Sequence, residues 1–260
     1  MSSTRDIPET TDAEQLPLER KIELALPCKE RGDQCVRKHR YADAKRAYDD
    51  AFVFMFCGRD EFELLYTREQ RRRHRQHLLP LHLNRGLCKW KLGDHEAALW
   101  DLDEAQRLAV WLAGEEDHSP GSELRRLGHP KALYRRARIR MERVQAALRK
   151  DRRETYWDDE QALETLRACH TDLTQARMLA PHDAAIPDAL NELELLQAQV
   201  AEARRQARRA SRALFARMRF GDTAPTKVSI EKKNAGKDVS ETDPDGTLPP
   251  VPPLERVRLW

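Results

Sequence analysis

The chain has 260 residues, of which 40% are hydrophobic, 35% charged and 6% aromatic. So polar a composition suits one domain of some size with polar tails and excludes a single large core, while ten glycines and abundant Ala, Leu, Arg and Glu predict an all-α protein. A formal net charge of +3 is too small for bulk charge to argue for nucleic acid, so local clusters carry the functional signal.

Residues 1–18 read as a flexible polar N-terminus, without the apolar core of a secretory signal. A first helix pair is predicted over about 21–56, in "KERGDQCVRKHRYADAKRAYDDAF". Gly32 precedes Ala44 by 12 residues and Ala44 precedes Ala51 by seven, with a turn around His39 to Tyr41. Residues 57–78 are an extension containing the basic stretch "TREQRRRHRQH". Phe52, Phe54 and Phe56 are expected to pack beneath it, or else to offer an apolar surface to a client. A second pair spans about 79–110 and repeats the spacing with Gly86, Ala98 and Ala105, Gly93 and Asp94 forming its turn. "AGEEDHSPGSE" then reads as a surface loop. A third pair, about 130–181, has Ala137 on its first helix and Cys169, Leu173, Ala176 and Pro181 on a delayed second one. From 183 to 220 apolar residues recur every three to four positions, which predicts a long helix capping the exposed face of the last pair. Residues 221–260 lack periodicity and read as a disordered tail.

Small residues at these offsets let two helices approach closely. The pattern resembles the tetratricopeptide (TPR) repeat, a helix–turn–helix of about 34 residues, here as three units with extended helices. The interval from Gly32 to Gly86 is 54 residues and that from Gly86 to Ala137 is 51, so extra length is expected near 57–78, 111–128 and 142–160.

The first helices of a TPR array line its groove. The groove positions of this chain are Lys29, Asp33, Asn84, Lys131 and Arg135, the last two lying four apart on one helix face. Lysine, asparagine and arginine converging on one groove suit a carboxylate, and capture of a chain's terminal carboxylate is a recurring mode of peptide recognition. The stretches "KERGD", "LHLNRG" and "KALYR" resemble the carboxylate clamp in the TPR domains of large FKBP-type immunophilins, and "ALFARMRF" is similar to the end of their last helix. The resemblance runs from about residue 20 to 220. It implies a non-enzymatic co-chaperone or adaptor that grips the acidic tail of Hsp90 or Hsp70, ending in EEVD, through Lys29, Asn84, Lys131 and Arg135, while another surface holds a second protein. Asp33 departs from the family, which usually has asparagine there. An ionised aspartate cannot donate to an anion; it repels the ligand at a cost of about 1–3 kcal/mol, or pairs with Lys29, or accepts from a cationic ligand. About 20 residues precede the first unit, so the immunophilin isomerase domain is expected to be absent.

Other features stay beside this reading. Cys28, Cys35, Cys57, Cys88 and Cys169 include no CxxC pair and read as reduced thiols in a cytoplasmic protein, with Cys28 and Cys35 packing between helices. His74 and His77 lack a neighbouring carboxylate or thiolate, so no metal is expected. The longest apolar run, Ala51 to Cys57, cannot span a membrane, and no cofactor or catalytic motif is legible. Seven arginines against Glu202 over 201–220 read as an exposed capping helix, with calmodulin, another acidic protein or a membrane surface as alternatives. The patch "REQRRRHR" has no interleaved aromatics for stacking bases, so nucleic acid is not expected. "LPPVPPLERVRLW" is a possible polyproline ligand. The alternative function is a scaffold with an inactive clamp that binds through the basic helix or an apolar surface.

Overall fold

The computed structural model describes residues 16–115, 122–149 and 159–219. The predicted flexible N-terminus up to residue 15 and the predicted tail lie outside the described residues. The helices are α1 (Leu18–Arg37), α2 (Tyr41–Met55), a π-helical turn (Glu61–Leu65), α3 (Arg68–Lys91), α4 (His95–Glu115), the single turn α5 (Ser122–Arg125), α6 (Pro130–Arg149), α7 (Asp159–Leu179) and α8 (Ala185–Arg219). No strand occurs among the described residues. Contacts divide the chain into two compact units, Met1–Arg212 and Ala213–Trp260. Of the second, only the end of α8 is described, with Leu214, Phe215 and Met218 exposed.

In the first unit α1 packs on α2, α3 on α4, and α6 on α7, each as a helix hairpin, and α1, α3 and α6 also touch one another in sequence. The fold is an all-α TPR-type array of helix pairs. The seams are built from the small residues whose spacing predicted them. Ala44, Ala51, Ala98, Ala105, Ala137, Cys169 and Ala176 have no exposed surface. Gly32 is the tightest of these contacts: a Cβ there would lie 2.6 Å from the Tyr48 ring.

Three apolar cores follow along the unit, each shared by consecutive helices. Ile22, Ala44, Tyr48 and Leu81 join α1, α2 and α3. Leu83, Leu102, Ala132 and Ile139 join α3, α4 and α6. Leu133, Leu166, Leu173, Ile186, Leu193 and Val200 join α6, α7 and α8. The last of these explains why α8 is needed. Ile186, Leu193 and Val200 are at most 1% exposed, and each buried side chain of this size contributes about 1.5–3 kcal/mol.

The extra length between units goes largely into longer helices. α3 has 24 residues and begins at a capping box, in which Thr67 Oγ1 accepts from the Gln70 N–H and the Gln70 side chain accepts from the Thr67 N–H. α4 runs into the segment read as a loop, ending at Glu115, and α6 extends to Arg149; the intervening 116–121 and 150–158 lie outside the described residues. Between α2 and α3, the π-helical turn is fastened by Lys21, whose buried Nζ donates to both Glu61 carboxylate oxygens at 2.8 and 3.0 Å and to the Phe56 carbonyl at 2.9 Å. Phe54 is buried beneath this segment and Phe52 is half-buried, but Phe56 is 47% exposed. The chain leaves the helix at Phe56, which turns the backbone carbonyl rather than the ring toward Lys21.

A charged lattice accompanies the apolar seams. Arg85 reaches Asp101 on its own hairpin at 2.7 Å and Asp49 on the preceding hairpin at 3.1 Å. Arg136, at the equivalent place in the next unit, bonds Asp172 at 2.8 Å and Asp103 of the preceding hairpin at 2.9 Å. Lys89 and Arg140 supply the second cation to Asp101 and Asp172, at 2.8 and 3.0 Å. Buried carboxylates are tolerable only when paired in this way.

Candidate peptide-binding face

The α1 side of the face is organised by Asp33. Gly32 lets the Tyr48 ring lie against α1, and the Tyr48 hydroxyl then donates to Asp33 Oδ1 at 2.7 Å. Lys29, one turn earlier, donates to Oδ2 at 2.7 Å, and Asn84 of α3 donates its Nδ2–H to Oδ1 at 3.0 Å. Burial pushes the Asp33 carboxyl up, but Lys29, Tyr48 and Asn84 outweigh it and hold the group below the ordinary carboxylate range. Tyr48 is pushed well above its ordinary range by burial and by Asp33.

On the other side of α3, His82 Nδ1 lies 2.9 Å from Asp101 Oδ1, and Arg85 and Lys89 pair with the same carboxylate. With Asp101 ionised, Nδ1 of His82 carries the proton. Burial pushes Asp101 up, yet His82, Arg85 and Lys89 bring it down to about 2. Gly86 packs directly over this site, its would-be Cβ 3.2 Å from the Asp101 Cβ.

The α6 side begins at Gly128, whose φ of +110° only glycine adopts without strain. Gln106 of α4 spans this turn, donating to the Leu127 carbonyl at 2.6 Å and accepting from the His129 N–H at 3.1 Å. That fixes the start of α6. Lys131 stands exposed, and Arg135 donates through Nη1 to the Leu83 carbonyl at 2.7 Å, beside Asn84 in the chain. His129 is pushed down to about 4 by burial and by Lys131 and Arg135, which places all three within one electropositive neighbourhood. At the other end, burial, Arg73 and Lys29 lower His77. A shallow apolar cleft lined by Ile22, Leu26, Met55, His77 and Leu81 opens beside Lys29.

Of the residues selected from sequence, Lys29, Asp33 and Asn84 are joined directly by hydrogen bonds. Arg135 is tied to the residue next to Asn84, and Lys131 lies one helical turn before Arg135. Sequence reasoning did not anticipate Tyr48, His77 or His129 as parts of the face. Tyr48 had a signal, because it faces the only glycine on α1 across the seam. His129 stands just before "PKALYR", but nothing in its spacing shows that two cations flank it. His74 Nε2 lies 2.9 Å from the Met55 carbonyl, and no group of residues able to hold a metal occurs among the described residues. None of the five cysteines forms a disulfide; burial pushes the thiols of Cys88 and Cys169 up to about 12. No helix among the described residues is long and apolar enough to cross a membrane.

Stacked helix hairpins with small-residue seams and a closing helix define a TPR domain. Among solved structures, the C-terminal TPR-containing domain of a Plasmodium falciparum FK506-binding protein is similar, with a TM-score of 0.50 and 18% sequence identity over 74% of this chain and 99% of that one. At that identity the likeness shows the fold. No family profile and no curated protein sequence matches the chain.

Proposed function

We propose that the face formed by α1, α3 and α6 binds the acidic, carboxylate-terminated end of a partner chain, and that the protein is a non-enzymatic adaptor of the co-chaperone type acting on Hsp90 or Hsp70. Lys29, Asn84, Lys131 and Arg135 carry the anion contacts. The observation behind this reading is that Lys29 and Asn84, from two helices, already donate to one carboxyl group at 2.7 and 3.0 Å. The donor arrangement for a carboxylate is therefore built. Lys131, with Arg135 and His129 around it, adds positive charge for a second acidic group, and the apolar cleft beside Lys29 suits an apolar side chain near the ligand's end. Most of this attraction is between charges, so added salt weakens binding.

Calorimetric titration with a peptide ending in MEEVD tests the reading. Micromolar binding to the wild type, lost in Lys131→Ala/Arg135→Ala, supports it. A second reading has its own observation: Asp33 already fills the Lys29–Asn84 site. On that reading the clamp is inactive and partners use another surface, such as Arg205, Arg208, Arg209 and Arg212, which line an exposed stretch of α8. Absence of wild-type binding favours it.

A further inference from the structure

A ligand carboxylate needs the same two donors that Asp33 now occupies. Lys29 Nζ and Asn84 Nδ2 contact Asp33 at 2.7 and 3.0 Å, so a ligand oxygen sharing them comes within about 3–5 Å of an Asp33 oxygen. Asp33 is tethered where it stands by three donors. The Tyr48 hydroxyl holds its Oδ1, and the Tyr48 ring is wedged against Gly32. Two carboxylates at that separation do not both stay ionised; one keeps a proton. Protonated Asp33 then changes from a repelling charge into an O–H donor to the ligand's carboxylate.

We propose that a carboxylate-bearing chain end docks on this face together with one proton, taken up from solvent and held on Asp33. The inference rests on the groove being a carboxylate site, as proposed above. The groups around Asp33 are Lys29 and Cys35 on α1, Tyr48 on α2, Asn84 and Cys88 on α3, and Arg135 on α6, which faces Cys88 and Tyr48. Cys88 and Tyr48 hold their protons throughout the neutral range, with Cys88 pushed up to about 12, so neither supplies nor takes the proton. His77, beside Lys29, and His129, beside Lys131 and Arg135, are the competing acceptors. Asp33 is ionised in the free protein at neutral pH, because Lys29, Tyr48 and Asn84 together overcome its burial. Its affinity for a proton rises in the complex. Peptide binding therefore strengthens as pH falls below the bound-state pKa, by about tenfold per pH unit, and levels off only below the lower pKa of Asp33 in the free protein.

The test is calorimetry on the full chain with the MEEVD peptide and its C-terminal amide, at about pH 6 and about pH 7.5, each in two buffers of unlike ionisation enthalpy. Wild type takes up close to one proton with the free-acid peptide at the lower pH and binds it about tenfold tighter there. The amidated peptide brings no terminal anion and takes up much less. Asp33→Asn, which donates without a proton, loses the uptake and binds about tenfold tighter than wild type at the higher pH. Binding without uptake overturns the proposal. So does uptake that persists in Asp33→Asn, which assigns the proton to His77 or His129. Failure of both proteins to bind at either pH removes the carboxylate reading itself.

Discussion

Asp101→Asn probes the buried polar centre between α3 and α4. The wild-type side chain is fully buried and bonded by His82, Arg85 and Lys89. Its pKa drops from 3.8 to about 2 on folding. A depression of that size corresponds to about 2 kcal/mol of stability. Because the folded value is the lower one, that stability is present above the unfolded value near 4 and is lost as pH falls through about 2. The amide variant also leaves Arg85 and Lys89 facing a neutral group, so the total cost at neutral pH is about 3 kcal/mol, at the low end for a broken buried pair. For a folded unit of this size that lowers Tm by about 6–12 °C. Thermal unfolding of both proteins by circular dichroism between about pH 7 and pH 3 reads this directly, and the gap between them narrows toward acid. A variant within about 2 °C of wild type at neutral pH, or a gap that is flat across the range, refutes the assignment of Asp101 as an ionised anchor.

Gly32→Ala places a methyl group 2.6–2.9 Å from three Tyr48 ring atoms, so urea unfolding should show a loss of about 1–3 kcal/mol. Because the ring must shift, the Tyr48–Asp33 bond loosens with it, and near-ultraviolet absorption of the tyrosine reports the change. Lys21→Met removes the partner of Glu61 and of the Phe56 carbonyl, costs about 3 kcal/mol, and speeds amide exchange selectively over 56–66. Unchanged exchange there means the π-helical turn is held by something other than Lys21.

The helix pairs were legible because close packing leaves a mark in composition: a seam with no room for side chains demands Gly, Ala or Cys at fixed offsets. Gly32, Gly86 and Ala137 carried that mark. The positions proposed to bind a peptide were chosen from the same register. What Asp33 does was not legible, because its charge allows repulsion, internal pairing or cation binding alike; Tyr48 and Asn84 decide among these, and they stand 15 and 51 residues away. Lys21 and Asp101 were missed for a related reason. Charged residues on helices usually face water, so sequence alone assigns them to the surface.

The charged lattice shows how far the register could have been carried. Arg85 precedes Asp101 by 16 residues, and Arg136 precedes Asp172 by 36. The difference is 36 − 16 = 20 residues, the same excess that delays Cys169 after Ala137, which are 32 apart where Gly86 and Ala98 are 12 apart. The two arginines are thus equivalent, each immediately before the small residue of its first helix, and each bridges an aspartate of its own hairpin to one of the hairpin before. In the first unit Ala47 takes the aspartate's place, and Arg31 pairs instead with Asp50. Apolar seams bring helices together without fixing how one hairpin slides along the next. A guanidinium fork with two carboxylates from different hairpins has one geometry. The placement of α1, α3 and α6 beside one another therefore depends on Arg85 and Arg136 as well as on the apolar core.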